Sequence, residues 1–208
     1  SAAYIRRVKQ TFPLTYAIYA WCFARNYLAD TNRFDALSEA DVQQYFTKFA
    51  KVESLELLLS SSSAATADWL RDLVGLAALK SLTLKGWDLA NLDGLRGIGG
   101  LVALEKLTLD FSGYDFRSFS GSSSYLENVD GLRHLACLTA LRSLTLILRE
   151  CYDLERLDGL CGLGKLAALE ELTLDLSGLH LPRRRGHLRL VWLQGLSVLK
   201  SLTLILQE

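Results

Sequence analysis

The chain has 208 residues, half of them hydrophobic, and its 23 Lys and Arg are balanced by 23 Asp and Glu. Zero formal net charge removes any global pull toward nucleic acid or an anionic membrane, and the length suits one domain or one elongated array. The four cysteines, Cys22, Cys137, Cys151 and Cys161, stand at irregular spacings without a CxxC pair. They indicate neither a zinc site nor a disulfide framework, so buried or idle thiols in a reducing intracellular setting, cytoplasmic or organellar, are expected. No Met occurs, even at the first position, which points to a processed product or a segment of something longer.

Residues 12–28, FPLTYAIYAWCFARNYL, read as a helix that starts after Pro13 and is apolar nearly all round from Leu14 to Ala24. That stretch is too short to span a membrane. Arg6, Arg7 and Lys9 precede it, but its Tyr and Trp content argues against a signal peptide. Its all-round hydrophobicity calls for cover from a partner, which makes Trp21 a candidate contact. Residues 38–50, SEADVQQYFTKFA, read as a second helix, with Ser38 as N-cap and Asp41 three residues later, close to a capping box. Val42, Tyr45, Phe46 and Phe49 give it one apolar face.

From residue 52 onward the chain repeats itself. DGLRGIGGLVALEKLTL (93–109), DGLRHLACLTALRSLTL (130–146) and DGLCGLGKLAALEELTL (158–174) align without gaps, and 68–84 and 188–204 fit the same 17-residue frame. A partial copy, VESLEL, covers 52–57. Within the frame apolar residues recur at every third position, Leu95, Ile98, Leu101, Leu104 and Leu107, and then at an interval of two, at Leu109. Neither a helix of period 3.6 nor a strand of period 2 explains the whole stretch. A helical or 3₁₀ segment followed by a short strand does, if one face of each lies against a common core.

The recurring LxxLxL, which starts at 52, 79, 104, 141, 169 and 199 with a mean step of about 29 residues, resembles the leucine-rich repeat family. The resemblance covers residues 52–208. It implies an α/β fold: a curved solenoid with one parallel strand per repeat, six in all, and helical or 3₁₀ segments on the convex side. The family's usual Asn after LxxLxL is replaced by Ser60, Trp87, Ser112, Arg149, Ser177 and Gln207. The DGL rhythm is closest to the short intracellular repeats of phosphatase-regulator-type members, with four or more residues added. Residues 1–51 would then be a helical N-terminal cap or docking segment preceding the array.

The Asp that opens the frame, Asp68, Asp93, Asp130 and Asp158, invites two readings, a carboxylate column for a cation or a set of helix N-caps. Single carboxylates one repeat apart lack the clustered ligands of a hard cation, so structural capping is expected. Strand alternation turns three columns to the concave face. The central one runs Glu56, Thr83, Thr108, Thr145, Thr173, Thr203, a mild surface without an ordered set of aromatics or charges.

The linkers between frames vary in length. The longest, 110–129, carries Phe111, Tyr114, Phe116, Phe119 and Tyr125 among serines and glycines, too aromatic for a flexible linker and too rich in Ser for a core. It either folds back on the array or docks a partner, and Phe116, Phe119 and Tyr125 are the candidate contacts. Residues 180–187, HLPRRRGH, place Arg183, Arg184 and Arg185 in a basic loop, either simply solvated or facing an acidic protein, a lipid headgroup or RNA phosphate.

No GxSxG, HExxH or P-loop is present, so the sequence offers no catalytic residues and calls for no cofactor or metal. The expected function is non-catalytic protein–protein interaction and scaffolding, as a peripheral accessory subunit of a larger multi-subunit complex, with an organellar-membrane complex among the candidates. The partners expected are other protein subunits, rather than a small-molecule substrate or nucleic acid; with no transmembrane span, any membrane contact would come through them. Two alternatives remain. One is a regulator that binds a phosphatase or GTPase through its concave face. The other is an RNA- or lipid-contacting accessory protein that uses Arg183–Arg185.

Overall fold

The computed structural model describes residues 52–59, 73, 76–86, 92–112, 126–151, 154, 156–179 and 190–206, with backbone alone at 58 and 59. The proposed helices of 1–51, Trp21, Asp68, Phe116, Phe119, Tyr125 and Arg183–Arg185 lie outside the described residues. Six short strands form one parallel sheet in sequence order: β1 (Ser54–Leu59), β2 (Ser81–Gly86), β3 (Lys106–Asp110), β4 (Ser143–Ile147), β5 (Glu171–Asp175) and β6 (Ser201–Ile205). The register is constant, with Leu55, Leu82, Leu107, Leu144, Leu172 and Leu202 side by side, and Leu57, Leu84, Leu109, Leu146, Leu174 and Leu204 in the next inward row.

Short 3₁₀ segments precede the last four strands: Asp93–Gly100, Asp130–Cys137, Asp158–Lys165 and Leu190–Gly195. Their hydrogen bonds explain the period of three. The Leu95 N–H donates to the Leu92 carbonyl, Leu101 to Ile98 and Leu104 to Leu101, each at 3.0 Å. Each bond joins one apolar position of the frame to the next. In this geometry side chains three residues apart eclipse, so a spacing of three stacks them on one face. Leu95, Ile98, Leu101, Leu104, Leu107 and Leu109 are accordingly all buried. A six-stranded parallel sheet with short helical pieces between its strands fits a leucine-rich-repeat solenoid.

The opening Asp does not cap these segments. The first bond runs from Leu95, Leu132 and Leu160 back to the carbonyls of Leu92, Val129 and Leu157, which therefore hold the N-cap position and make no side-chain cap bond. Asp93, Asp130 and Asp158 are already the first residue inside. The reason is hydrophobic phase: the boundary residue belongs to the period of three, and Leu92 and Val129 are buried there. The carboxylates still lie in the first turn, where the partial positive charge of the amide ends favours them. Asn128 does part of the capping instead, accepting the Asp130 N–H at 3.1 Å, while Arg133 reaches the Asp130 carboxylate at 3.0 Å. In the next repeat Arg156 donates from Nε and Nη2 to Asp158 Oδ2, at 3.0 and 2.7 Å.

The glycine of DGL is required by close approach. A Cβ on Gly131 would lie 1.9 Å from the Leu92 carbonyl oxygen, and one on Gly159 would lie 1.9 Å from that of Val129. Neither glycine has a positive φ, so the need is for space between repeats and not for a left-handed backbone. Gly131→Ala is therefore expected to cost about 2 kcal/mol or more, because backbone must move to admit the methyl group. Asp130→Ala, which loses only a first-turn charge and a partly exposed ion pair, should cost under about 1 kcal/mol. Urea denaturation of the two variants checks the order; an Asp130 variant as damaged as the Gly131 variant would restore capping as the role of the Asp.

Candidate interaction surface

Alternation along each strand leaves one row of side chains outside for every inward row. On β2 to β5 the outward positions are half-buried or exposed, save one buried strand-end residue, Asp175, and the inward leucines are buried. Thr83, Thr108, Thr145, Thr173 and Thr203 stand in register across β2–β6, as the spacing predicts. Among the described residues the sheet therefore presents one continuous outward face whose middle row is threonine from β2 to β6.

Several charges on that face are spent on neighbours. Lys85 Nζ lies 2.7 Å from Glu56 Oε1 across β1 and β2, and this hydrogen bond holds the Lys85 ammonium above its ordinary range. At the ends of β3 and β5 the sequence reads Asp-x-Ser, and the two Asp fold the chain in the same way. Ser112 Oγ donates to Asp110 Oδ1 at 2.6 Å, and Ser177 Oγ donates to Asp175 Oδ1 at 2.6 Å, each reinforced by the serine N–H. Asp175 is 1% exposed, and Arg149 Nε donates to its Oδ2 at 2.6 Å. Burial pushes the Asp175 carboxyl up, but the bonds from Ser177 and Arg149 outweigh it and leave the group below the usual carboxylate range.

A second column lies one residue before each strand: Glu53, Lys80, Glu105, Arg142, Glu170, Lys200. Its sign alternates at every repeat. Lys80 reaches Glu53 at 3.3 Å, and Glu170 is shared between Arg142 at 2.8 Å and Lys200 at 2.6 Å. The hydrogen bond from Lys200 holds the Glu170 carboxyl below its ordinary range. The backbone follows the same ladder. Each of the first five carbonyls accepts two N–H groups from the next repeat, as Glu170 O does from Lys200 at 2.8 Å and Ser201 at 3.0 Å.

Of the aromatic linker, Phe111 is described. It is buried at 3% exposure, in the place that Leu148 and Leu176 take after β4 and β5, so it belongs to the core. Its carbonyl accepts the Cys151 thiol at 3.2 Å, and Cys151 is buried, whereas Cys137 and Cys161 are exposed on the 3₁₀ side. Reading Phe111 with the other linker aromatics missed its place; the signal was its frame position, two residues after Leu109. The Asp-x-Ser strand ends and the alternating column were also legible as repeated positions and were not singled out. Among the described residues there is no group of three or more His, Cys, Asp or Glu arranged to hold a metal ion, and no helix is long and apolar enough to cross a membrane.

No protein-family model matches the chain, and no curated protein matches it. Among solved structures it is similar to internalin C2 from Listeria monocytogenes, with a TM-score of 0.43 and 20% identity over 79% of this chain and 54% of that one. The chain thus spans about half the length of that protein.

The Asp175 site has a pH signature. Its folded-state pKa is depressed relative to the unfolded chain, so its contribution is present above the ordinary Asp range, about pH 4, and is lost as pH falls through the depressed value. Between about pH 5 and pH 2 the wild type should lose stability more steeply than Asp175→Asn, which cannot titrate. Parallel urea midpoints for the two proteins across that window would show no convergence if the carboxylate were uncoupled from folding.

Proposed function

We propose that the chain is a non-catalytic protein–protein interaction and scaffolding module, a peripheral accessory subunit of a larger multi-subunit complex. The observation that carries this reading is the sheet itself. Repeats stacked in constant register make an extended rigid surface, and the buried Asp175 is consumed by structural bonds. An intracellular setting accords with the exposed thiols of Cys137 and Cys161.

The partner is met through Phe116, Phe119, Tyr125 and the N-terminal segment with Trp21, and the basic loop Arg183–Arg185 supplies a further contact. Aromatics are strong interface anchors because each buries a large area at little rotamer cost. Phe111 is taken by the core, while Phe116, Phe119 and Tyr125 fall outside the repeating frame. The concave threonines offer one hydroxyl and one methyl each. Replacing Phe116 and Phe119 with Ser should abolish recovery of the native complex, whereas replacing Thr145 and Thr173 with Lys should leave it intact. Loss of assembly in the Thr pair alone would put the partner on the concave face.

Residues 1–51 act in this proposal as a cap on the first repeat. Deleting them should expose Val52, Leu55 and Leu57 and make the array aggregate or unfold from that end. A 52–208 fragment that sediments as a monomer with unchanged stability would make the segment a docking arm only.

A further inference from the structure

Between the full copies of the frame, length varies only after the strand. Before it, five residues join each 3₁₀ segment to its strand, at 101–105, 138–142, 166–170 and 196–200. No insertion therefore falls on this flank of the array. In the first three of these connections the first and fourth residues are buried leucines, and the other three are exposed or half-buried. The fifth residue is the rung of the charge column. Val102 is 63% exposed beside that column, in line with Ala77, Thr139 and Ala167.

Within the column one interior rung is left over. Glu105 stands between Lys80 and Arg142, yet Lys80 reaches Glu53 and Arg142 reaches Glu170. Among the described residues the exposed Glu105 carboxylate makes no ion pair. Arg142 uses Nη1 for Glu170, and a guanidinium keeps further donors on its fork. Opposite charges one repeat apart thus stay without each other in the middle of the array.

The alternation has a symmetry that selects a partner. A two-fold axis running from the concave to the convex side, midway between two rungs, sets the column against its own reversed copy. Each rung then faces one an odd number of places along, and hence of opposite sign. With the axis between Glu105 and Arg142, Glu105 faces Arg142 of the second copy and Lys80 faces Glu170. Val102 faces Thr139 in the same way, and Ala103 faces Ala140. An axis through a rung would oppose like charges instead.

We propose that this flank is a self-association surface, on which a second copy of the chain docks about a two-fold axis between Glu105 and Arg142. This rests on reading the chain as a protein-binding module and names one partner. The contact is isologous, so every pair is made twice. An unrelated protein would need the same signs in reverse order, whereas the chain itself carries them. The free Glu105 locates the axis, because both copies of its carboxylate then gain a guanidinium. Four interior rungs suffice, so the contact does not depend on how many repeats flank them. Each pair is exposed and weak alone, which makes the dimer weak, sensitive to salt and fixed in register by sign.

The test is sedimentation equilibrium of the 208-residue chain under reducing conditions, across a concentration series. A reversible monomer–dimer equilibrium should appear and weaken as salt rises. Glu105→Lys and Arg142→Glu should each weaken the dimer about tenfold or more, because each change is felt twice across the axis. Mixing the two variants, or combining both substitutions in one chain, should restore it, since opposite signs then face each other at both contacts. Circular dichroism confirms that each variant is folded, as expected for exposed side chains. A chain that stays monomeric throughout overturns the proposal. So does an association indifferent to the single reversals, or a mixture that does not recover. The measurement uses the chain alone, whereas complex recovery by the Phe116 and Phe119 variants needs the partner, so either proposal can fail without the other.

Discussion

A leucine such as Leu109 or Leu146 is out of water only because the repeats on both sides lie against it. Each repeat is too thin to enclose its own apolar residues, and burial of one leucine contributes roughly 1.5–3 kcal/mol. Most of the stabilisation therefore lies between repeats, and no single repeat is stable by itself. Everything else in the molecule serves that contact. The 3₁₀ hydrogen bonds fix a spacing of three so that each apolar side chain reaches the same face, and the strand then narrows the spacing to two without leaving it. Gly131 and Gly159 keep neighbouring convex segments close enough for the leucines to touch.

Much of this was legible in the sequence because it is periodic. The gapless alignment of 93–109 with 130–146 and 158–174 located the strands, and alternation from Leu107 to Leu109 placed Thr108 on the concave side. The Asp of DGL was misplaced by one position, because sequence preference for Asp at an N-cap was allowed to outrank the apolar phase that claims Leu92 and Val129. The glycine after it avoids a clash with a backbone 39 residues earlier in the chain, from Gly131 to Leu92. No local pattern shows a contact of that kind. Burial of Asp175 was likewise hidden. Its partner Arg149 lies in the preceding repeat, and an acid at a concave position ordinarily signals exposure.

The electrostatics divide into two kinds. Asp175 is desolvated and held by three hydrogen-bond donors from two residues, so removing any one leaves a buried acceptor short. The column before the strands is solvent-exposed except at the half-buried Glu170, and each of its pairs is individually weak. Its strength lies in order. The same six residues carry the doubled backbone bonds between repeats, so side-chain charge and main-chain register coincide at one place in every repeat.

That alternation imposes a parity on the array. Excising one interior repeat, for instance the one bearing Arg142, would bring Glu105 beside Glu170, and duplicating it would set two cations together. Excising or duplicating two adjacent repeats leaves the pattern of signs intact. The leucine frame is indifferent to the number of repeats, since any repeat can stack on any other. The ladder is not, and so a lineage of such chains that lengthens or shortens by tandem copying would meet less resistance when it moves in steps of two.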